Sequence, residues 1–253
     1  MCSSRSQPPL IPDRILSCLH GGDGENGAIQ GLFSVLGLPF IGCGVLPSAL
    51  TADKAIAKTL VAEAGIPTAP FRIVRSAAEI PDNLPFPIFV KPIDGGSSIG
   101  AALVRERAAL PAAVAEALSH SEAALLEDYI CGTEIELGVI EQADGRLTVS
   151  TPGEIAVRQG FYDYETKYQN PSVEMHIPAR LTEEEIQHAK QTAATIFRLL
   201  RCRHFCRVDF FRTADGTLYF NEVNTLPGFT RYSMFPLLFA HDGIDAVEAL
   251  LSL

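Results

Sequence analysis

Two apolar stretches with alternating polar positions dominate residues 207–224, RVDFFRTADGTLYFNEVN. They flank Asp215-Gly216, and an Asp-Gly pair between such stretches is the strongest short-range signal for a β-hairpin. A two-residue turn at this pair places Asp209 opposite Glu222. A four-residue loop shifts the individual partners. Because side chains alternate along a strand, either loop keeps positions 207, 209 and 211 on one face with positions 220, 222 and 224.

Helical periodicity occurs at four places. Thr182 and Glu185 form a capping box, and the helix that it opens carries an apolar stripe at positions 186, 189, 193, 196, 197 and 200. Other helices are predicted at residues 28–36, 51–64 and 107–120. Gly65 ends the second of these, with Pro67 just beyond, so a first boundary between structural units is expected near residues 65–70.

Strands are predicted at residues 15–19, 86–90, 134–140 and 146–150, the last two joined by a turn at Asp144-Gly145. Strands, helices and hairpins follow one another without the regular order of a doubly wound parallel sheet. The predicted fold class is therefore α+β, with mixed helices and sheets and several antiparallel hairpins.

Composition narrows the class of protein. The 253 residues are 47% hydrophobic and 20% charged, and the formal charge of −10 argues against nucleic acid or an anionic membrane as the main partner. No apolar run is long enough to span a membrane, and the first residues lack a signal-peptide core, which predicts a cytoplasmic protein. The six cysteines are scattered in mostly apolar surroundings and are interpreted as reduced thiols. Cys202 and Cys206 lack two further zinc ligands at the usual spacing, so no zinc site is predicted there.

The hairpin face brings like charges together. Two half-buried carboxylates at Asp209 and Glu222 would have to take up a proton or bind a cation. Asn224 lies on the same face, opposite Arg207, and adds an amide oxygen. Three oxygens on rigid strands suit Mg²⁺, whereas Zn²⁺ prefers sulfur or imidazole. The alternative interpretation is an exposed face with solvated charges, which the apolar flanking positions disfavour.

A magnesium site implies phosphate, and two further segments fit that expectation. Residues 95–100, GGSSIG, follow a strand that ends at Lys91, and their N–H groups could wrap a triphosphate. The segment is not a Walker A motif and, taken alone, is typical of a flexible turn. Residues 161–168, FYDYETKY, suit a lid that excludes water, and an ordinary surface loop explains them equally well.

These motifs, in this order, resemble those of the D-alanine–D-alanine ligases of the ATP-grasp superfamily. The matching segments are HGGDGENG, the Asp-Lys pair at 53–54, FPIFVKPIDGGSSIG, LLEDYICGTEIE, PGEI, FYDYETKY, RVDFF and NEVNTLPGFTRYSM. The resemblance implies an ATP-grasp fold of two lobes, at residues 67–130 and 131–253, that clamp ATP. Fewer than twenty residues precede HGGDGENG, and family members begin with a further strand and helix. The resemblance therefore implies a shortened N-terminal substrate-binding domain over residues 1–66.

The resemblance also implies roles for particular positions. The ATP-binding residues would be Lys54, Lys91, Ser97, Ser98, Glu127, Tyr129, Ile130, Glu134 and Lys167. The catalytic residues would be Arg207, Ser97, Tyr168 and Lys167, and the metal ligands Asp209, Glu222 and Asn224. The substrate residues would be His20, Arg207, Gly228, Ser233 and Met234.

The implied reaction joins two D-alanines through an acyl phosphate, with ATP and Mg²⁺ (or Mn²⁺), for the synthesis of peptidoglycan precursors. Family members are commonly homodimers. Three alternatives stay open: a D-alanine–D-serine ligase of the resistance type, another ATP-grasp ligase, and a degenerate ATP-binding relative that lost ligation with its N-terminal segment.

Overall fold

The structure is a computed structural model that describes residues 12–96, 99–157 and 173–253. The strands are β1 (Ile15–Leu16), β2 (Phe40–Ile41), β3 (Phe71–Val74), β4 (Ile88–Pro92), β5 (Ala102–Val104), β6 (Ala124–Asp128), β7 (Gly132–Glu141), β8 (Leu147–Val149), β9 (Gly153–Val157), β10 (Val173–His176), β11 (Phe205–Thr213) and β12 (Leu218–Asn224). The α-helices are α1 (Ala28–Val35), α2 (Val45–Ala52), α3 (Lys54–Glu63), α4 (Leu110–His120), α5 (Glu183–Leu199), α6 (Met234–His241) and α7 (Ala246–Leu251).

The described strands form three sheets that follow one another along the chain. β1 and β2 make a short parallel pair, and β3, β6, β4 and β5 make a four-stranded antiparallel sheet in that order. The third sheet has the order β10-β9-β7-β11-β12, with β8 also paired to β7, and is antiparallel throughout. The mixed fold class predicted from the sequence is confirmed.

One predicted helix is two helices. The helix expected at residues 51–64 begins at Lys54, because Asp53 has an extended backbone and its carboxylate accepts a hydrogen bond from the Ile56 N–H at 2.9 Å. The residues before this cap belong to α2, which the sequence patterns did not indicate. Pro47 in its first turn is tolerated there, since the first N–H groups of a helix have no intrahelical partner.

Other predicted elements are present with shifted ends. β1 ends at Leu16 because β2, its partner among the described strands, is two residues long. The helix predicted at 107–120 opens with a 3-10 turn at Arg107–Ala109 before α4 begins at Leu110. These differences concern the ends of elements and leave their order unchanged.

Helix α5 covers one face of the six-stranded sheet. Its capping box is present: the Thr182 hydroxyl accepts from the Glu185 N–H at 3.3 Å, and the Glu185 carboxylate accepts from the Thr182 N–H at 2.8 Å. The buried part of the apolar stripe consists of Ala189, Ala193, Ile196, Phe197 and Leu200, and it packs on Leu137, Val208 and Phe210. The opposite face carries Glu136 and Asp209, and Phe235 and Phe239 of helix α6 pack against it at Gly138.

The β11–β12 hairpin has the predicted partners at its acidic residues. Asp209 pairs with Glu222, and Arg207 pairs with Asn224. Immediately beyond this pair the register shifts by one, which leaves Asn221 as the extra residue of a β-bulge. The acidic pairing is therefore correct although the rest of the hairpin differs from the prediction.

The two-residue turn predicted for the hairpin is wrong. Residues 214–216 form a three-residue loop, closed by a hydrogen bond from the Thr213 N–H to the Thr217 carbonyl at 3.0 Å. Gly216 has a φ of 85°, a conformation that glycine adopts without the steric cost of a Cβ. The bulge then offsets the extra loop residue, and the pairing at the base of the hairpin is restored.

The bulge also corrects one predicted face. Phe220 pairs with Phe210, and the two rings lie 6.4 Å apart in an edge-to-face arrangement. Position 220 therefore does not share a face with positions 207, 209 and 211 as expected. Phe211 pairs with Tyr219 instead.

β12 is joined to the chain that leads into the four-stranded sheet. The Phe220 N–H donates to the Pro67 carbonyl at 2.8 Å, and Thr68 forms a parallel bridge with Phe220. The two larger sheets therefore meet beside strand β12.

Among the described residues, no helix combines the length and apolar character that a transmembrane span requires.

Candidate active site

A cleft of about 530 Å³ lies between the two larger sheets and the start of helix α3. Its walls include Lys54 of α3, Lys91 of β4, Glu127 of β6, Glu134 of β7 and Glu222 of β12. The volume is within the usual range of small-molecule pockets. Residues from five separate elements therefore converge on one space of suitable size for a ligand.

Among the described residues, the side chains of three lysines are buried beside this cleft. Lys54, Lys58 and Lys91 expose 9%, 1% and 8% of their surface. The Lys54 ammonium donates to the Gly95 carbonyl at 2.6 Å, which ties it to the glycine segment expected to wrap phosphates. Burial lowers the pKa of Lys54, although the Glu222 carboxylate opposes this effect.

Glu127 is shared between two of these lysines. Its Oε1 lies 2.6 Å from the Lys58 ammonium and its Oε2 lies 2.8 Å from the Lys91 ammonium. Burial raises the pKa of Glu127, but the charges of Lys91 and Lys58 outweigh it and lower the value to about 2. Burial lowers the pKa of Lys58 to about 8 against the attraction of Glu127. The three groups form one buried cluster with a net positive charge.

Most of the positions assigned to ATP by resemblance meet in this cleft. Lys54, Lys91, Glu127, Tyr129, Ile130 and Glu134 all line it. Ser97, Ser98, Lys167 and Tyr168 lie outside the described residues. Lys58 also lines the cleft and was missed by the sequence analysis. Its spacing of four from Lys54 on one helix was the signal that could have found it.

The acidic face lies at the centre of the six-stranded sheet. Asp209 is completely buried, with Glu222 opposite it on β12 and Glu136 opposite it on β7. Carboxylate oxygens of Glu134, Glu136 and Asp209 all lie within 4.8 Å of one another. Glu136 was not predicted, although the Glu-x-Glu alternation of β7 places it on the same face as Glu134.

Arg207 supplies the positive charge beside these carboxylates. Its Nε and Nη2 donate to the two oxygens of Asp209 at 2.8 and 2.7 Å, and its Nε lies 3.0 Å from Glu136. Burial lowers the pKa of Arg207, but the charges of Asp209 and Glu136 outweigh it and raise the pKa well above its ordinary value. The like charges of the hairpin are thus balanced in this structure by a guanidinium.

The donors on this face fit a hard divalent cation. Asp209, Glu222 and Asn224 offer carboxylate and amide oxygens, the ligand types that Mg²⁺ prefers. The Asn224 Oδ1 accepts from the Leu226 N–H at 2.9 Å, which fixes the amide while leaving its second lone pair for a metal. The metal role of these three residues stays a prediction.

The predicted substrate residues gather around the loop after β12. The His20 Nδ1 donates to the Leu226 carbonyl at 3.0 Å, so the N-terminal glycine loop is held against this segment. A Cβ at Gly228 would lie 2.6 Å from the Ser233 hydroxyl, so only glycine fits there without displacing Ser233. The Met234 side chain packs in a small core cluster, which leaves its backbone for any substrate contact.

The described cysteines are all reduced thiols, as the sequence analysis expected. Cys43, Cys202 and Cys206 are buried near one another. A hydrogen bond to a neighbouring thiol, together with burial, raises the thiol pKa of Cys43 and of Cys202, and burial raises the pKa of Cys206. His204 Nδ1 accepts from the Gly42 N–H at 2.9 Å, which occupies its ring nitrogen in a structural contact. A packing role explains this cluster.

Comparison with known proteins decides the family. The profile of the family described as "D-ala D-ala ligase C-terminus" matches residues 60–252. This chain belongs to the D-alanine–D-alanine ligase family. It is 44% identical to a D-alanine–D-alanine ligase of Corynebacterium urealyticum over 249 residues, which cover 95% of this chain and 68% of the relative. It is 42% identical to the enzyme of that name from Geobacillus thermodenitrificans over 254 residues, covering 95% and 69%.

Solved structures of ligases share the fold. The VanG D-Ala:D-Ser ligase of Enterococcus faecalis superposes with a TM-score of 0.86 at 37% identity, covering 95% of this chain and 72% of that one. The D-alanine–D-alanine ligase of Coxiella burnetii superposes with a TM-score of 0.83 at 30% identity, covering 95% and 67%. The ATP-grasp fold expected from the ligase family motifs is confirmed.

Proposed function

We propose that this protein joins two D-alanine molecules to D-alanyl-D-alanine, for peptidoglycan precursors, with transfer of the ATP γ-phosphoryl group to the first D-alanine and release of ADP and phosphate. Family membership supports ATP-dependent ligation and D-alanine as substrate. The observation that carries the proposal is that Glu222 lines one cleft with three buried lysines of the described chain. Glu222 pairs across the hairpin with buried Asp209, which binds Arg207. A net positive cluster next to an acidic face suits a triphosphate held between ammonium groups and a metal.

The lysines would bind the phosphates. Lys54 and Lys91 are desolvated, so their attraction for a phosphate is stronger than that of an exposed lysine. Lys54 is already held at the Gly95 carbonyl, and Lys91 at Glu127, so both ammonium groups are positioned before ATP arrives. This preorganisation reduces the entropy lost on binding.

Asp209, Glu222 and Asn224 would hold Mg²⁺, or Mn²⁺ in its place. When bound, the metal supplies positive charge against the phosphate oxygens. Arg207 is rigid because Asp209 holds it at two points. Its remaining N–H groups could donate to the oxyanion that forms when the amine of the second D-alanine attacks the acyl phosphate. Preorganised donors of this kind favour the transition state over the ground state.

The remaining assignments rest on family resemblance. We propose a cytoplasmic protein, homodimeric assembly, and units at residues 1–66, 67–130 and 131–253. From the same resemblance, Lys167, Tyr168 and Ser97 are proposed as catalytic residues in phosphoryl transfer.

The acceptor could instead be D-serine, and a specific observation supports this second candidate. The superposing VanG enzyme is a D-Ala:D-Ser ligase. The sequence relatives in Corynebacterium and Geobacillus carry the D-alanine–D-alanine name at higher identity, so D-alanine is our first assignment.

A product assay tests the function. The purified chain is incubated with ATP, Mg²⁺ and D-alanine, with and without D-serine, and phosphate release is followed while products are identified by mass. We expect D-alanyl-D-alanine in both mixtures. D-alanyl-D-serine as the main product would assign the second candidate, and phosphate without any dipeptide would indicate a degenerate ATP-binding relative.

A further inference from the structure

Lys58 is a buried lysine to which the proposed reaction gives no role so far. It exposes 1% of its surface and is among the largest fully buried side chains of the described residues. Lysine is rarely buried completely, because transferring an ammonium group out of water is unfavourable unless partners compensate. Lys58 lies one helical turn after Lys54 in α3, and its burial there needs a structural or functional explanation.

The partners of Lys58 come from two other elements. Its ammonium lies 2.6 Å from Glu127 Oε1 on β6 and donates to the Phe220 carbonyl on β12 at 3.2 Å. The same ammonium lies 5.9 Å from the centre of the Phe220 ring. One side chain thus joins helix α3, the four-stranded sheet and the six-stranded sheet at the place where they enclose the cleft.

The contact with Glu127 has a consequence for Lys91. Each oxygen of Glu127 faces a different ammonium, Oε1 facing Lys58 and Oε2 facing Lys91. Without Lys58, Oε1 would lose its cation and the carboxylate would gain by turning both oxygens towards Lys91. Lys91 would then be neutralised more completely and would attract a phosphate less strongly.

We propose that Lys58 is a positioning residue for ATP: it holds Glu127 so that a single carboxylate oxygen engages Lys91, and so leaves the Lys91 ammonium able to bind the nucleotide phosphates. Lys58 acts through Glu127 and does not itself contact substrate. The assignment rests on the proposed function, because it presumes that Lys91 binds ATP.

The charges around Lys58 support this role. Glu222 on β12 attracts Lys58, and Lys91 on β4 repels it. The low pKa of Glu127 keeps its carboxylate ionised near neutral pH, so Lys58 and Lys91 are both attracted to the same negative charge. Removal of the Lys58 charge is therefore expected to strengthen the contact between Glu127 and Lys91.

The test measures binding of a non-hydrolysable ATP analogue with Mg²⁺ by calorimetry. Lys58→Met keeps the length of the side chain and removes its charge. We expect its Kd for the analogue to rise at least tenfold. In a Glu127→Gln background the same substitution should change the Kd less than threefold, since the carboxylate that Lys58 restrains is gone. An equal rise in both backgrounds, or no rise in the first, would overturn the proposal.

Two further variants separate positioning from folding. Arg212→Met removes a different ion pair, with Glu185 at 2.6 Å; neither residue lines the cleft, so the Kd should stay unchanged. If Lys58→Met does not fold, Lys58→Gln takes its place in the same cycle with the same expected outcomes. Failure of the proposed function is seen separately, as absence of dipeptide from the parent chain, while the Kd values still decide the role of Lys58.

Discussion

Arg207 determines the charge balance of the acidic face. It binds both oxygens of Asp209 and approaches Glu136, and these two carboxylates expose 0% and 2% of their surface. Removal of one member of a buried ion pair leaves the other charge uncompensated, which is far costlier than loss of an exposed pair. Arg207 is therefore both a stabilising residue and a proposed catalytic one.

Arg207→Met should lower the free energy of unfolding by about 3 kcal/mol or more, because Asp209 and Glu136 lose their cation. Urea unfolding at pH 7 measures the change. Adding Asp209→Asn should recover part of the loss. A double variant as unstable as the single one would contradict this account of the balance.

Glu222→Gln should reduce ligation strongly while changing stability by less than about 1 kcal/mol, because Glu222 is only partly buried and glutamine retains its shape. The rate should be measured over a series of Mg²⁺ concentrations. We expect the half-saturating Mg²⁺ concentration to rise about tenfold. If Glu222→Gln reacted as fast as the parent chain at limiting Mg²⁺, Glu222 would not be a metal ligand.

Sequence reasoning found the acidic pairing but not the residues that surround it. The Asp-Gly signal indicated a hairpin, and alternation placed Asp209 near Glu222. The bulge at Asn221 has no signature in the local pattern, because it depends on how β12 packs against its neighbours. Glu136 belongs to β7, and nothing in a single strand tells which other strand will lie beside it.

Helix α5 shows that a local sequence signal can predict where a helix begins and which face it buries. The capping box and the apolar stripe lie within one segment, so the sequence predicted both the start of the helix and its buried face. The break between α2 and α3 was not predicted, because the helical pattern continues across Asp53 and only the backbone at that residue reveals the cap. The start and the buried face of a helix can therefore be predicted from the sequence where the apolar periodicity begins at a recognisable cap.

Thr182→Ala should destabilise the protein by about 1 kcal/mol, since it leaves the Glu185 N–H without its acceptor. The matched control is Thr195→Ala in the same helix, where the hydroxyl bonds only to the Gln191 carbonyl one turn earlier. The control should change stability by less than about 0.5 kcal/mol. Equal effects in urea unfolding would show that the cap contributes nothing specific.

The whole chain is acidic, yet its cleft is built to hold a polyanion. The formal charge is −10, while the buried cluster of Lys58, Lys91 and Glu127 at the cleft has a net positive charge. Net charge therefore did not predict the ligand class, because a few desolvated cations outweigh a distant surface charge. The hairpin face and the glycine segment indicated a metal and a triphosphate, and the family motifs were needed to identify the ligand as ATP.

Stability should decrease in acid through Glu127. Its pKa is about 2 in the folded chain and 4.5 ordinarily, so below pH 4.5 the unfolded chain binds a proton that the folded chain does not. The stabilisation is complete above pH 4.5 and is lost as the pH falls towards 2, a change of about 3 kcal/mol. Urea unfolding between pH 5 and 3 should show a shallower slope for Glu127→Gln than for the parent chain.

The bulge at Asn221 separates the tip of the hairpin from its base. The three-residue loop sets one register near Gly216, and the bulge converts it to another before the strands reach Asp209. A change of length at the exposed tip can therefore be taken up within β12 without moving the carboxylates. The loop is therefore a suitable place for a fluorescent label or a short insertion, since the bulge keeps changes at the tip from displacing Asp209 and Glu222.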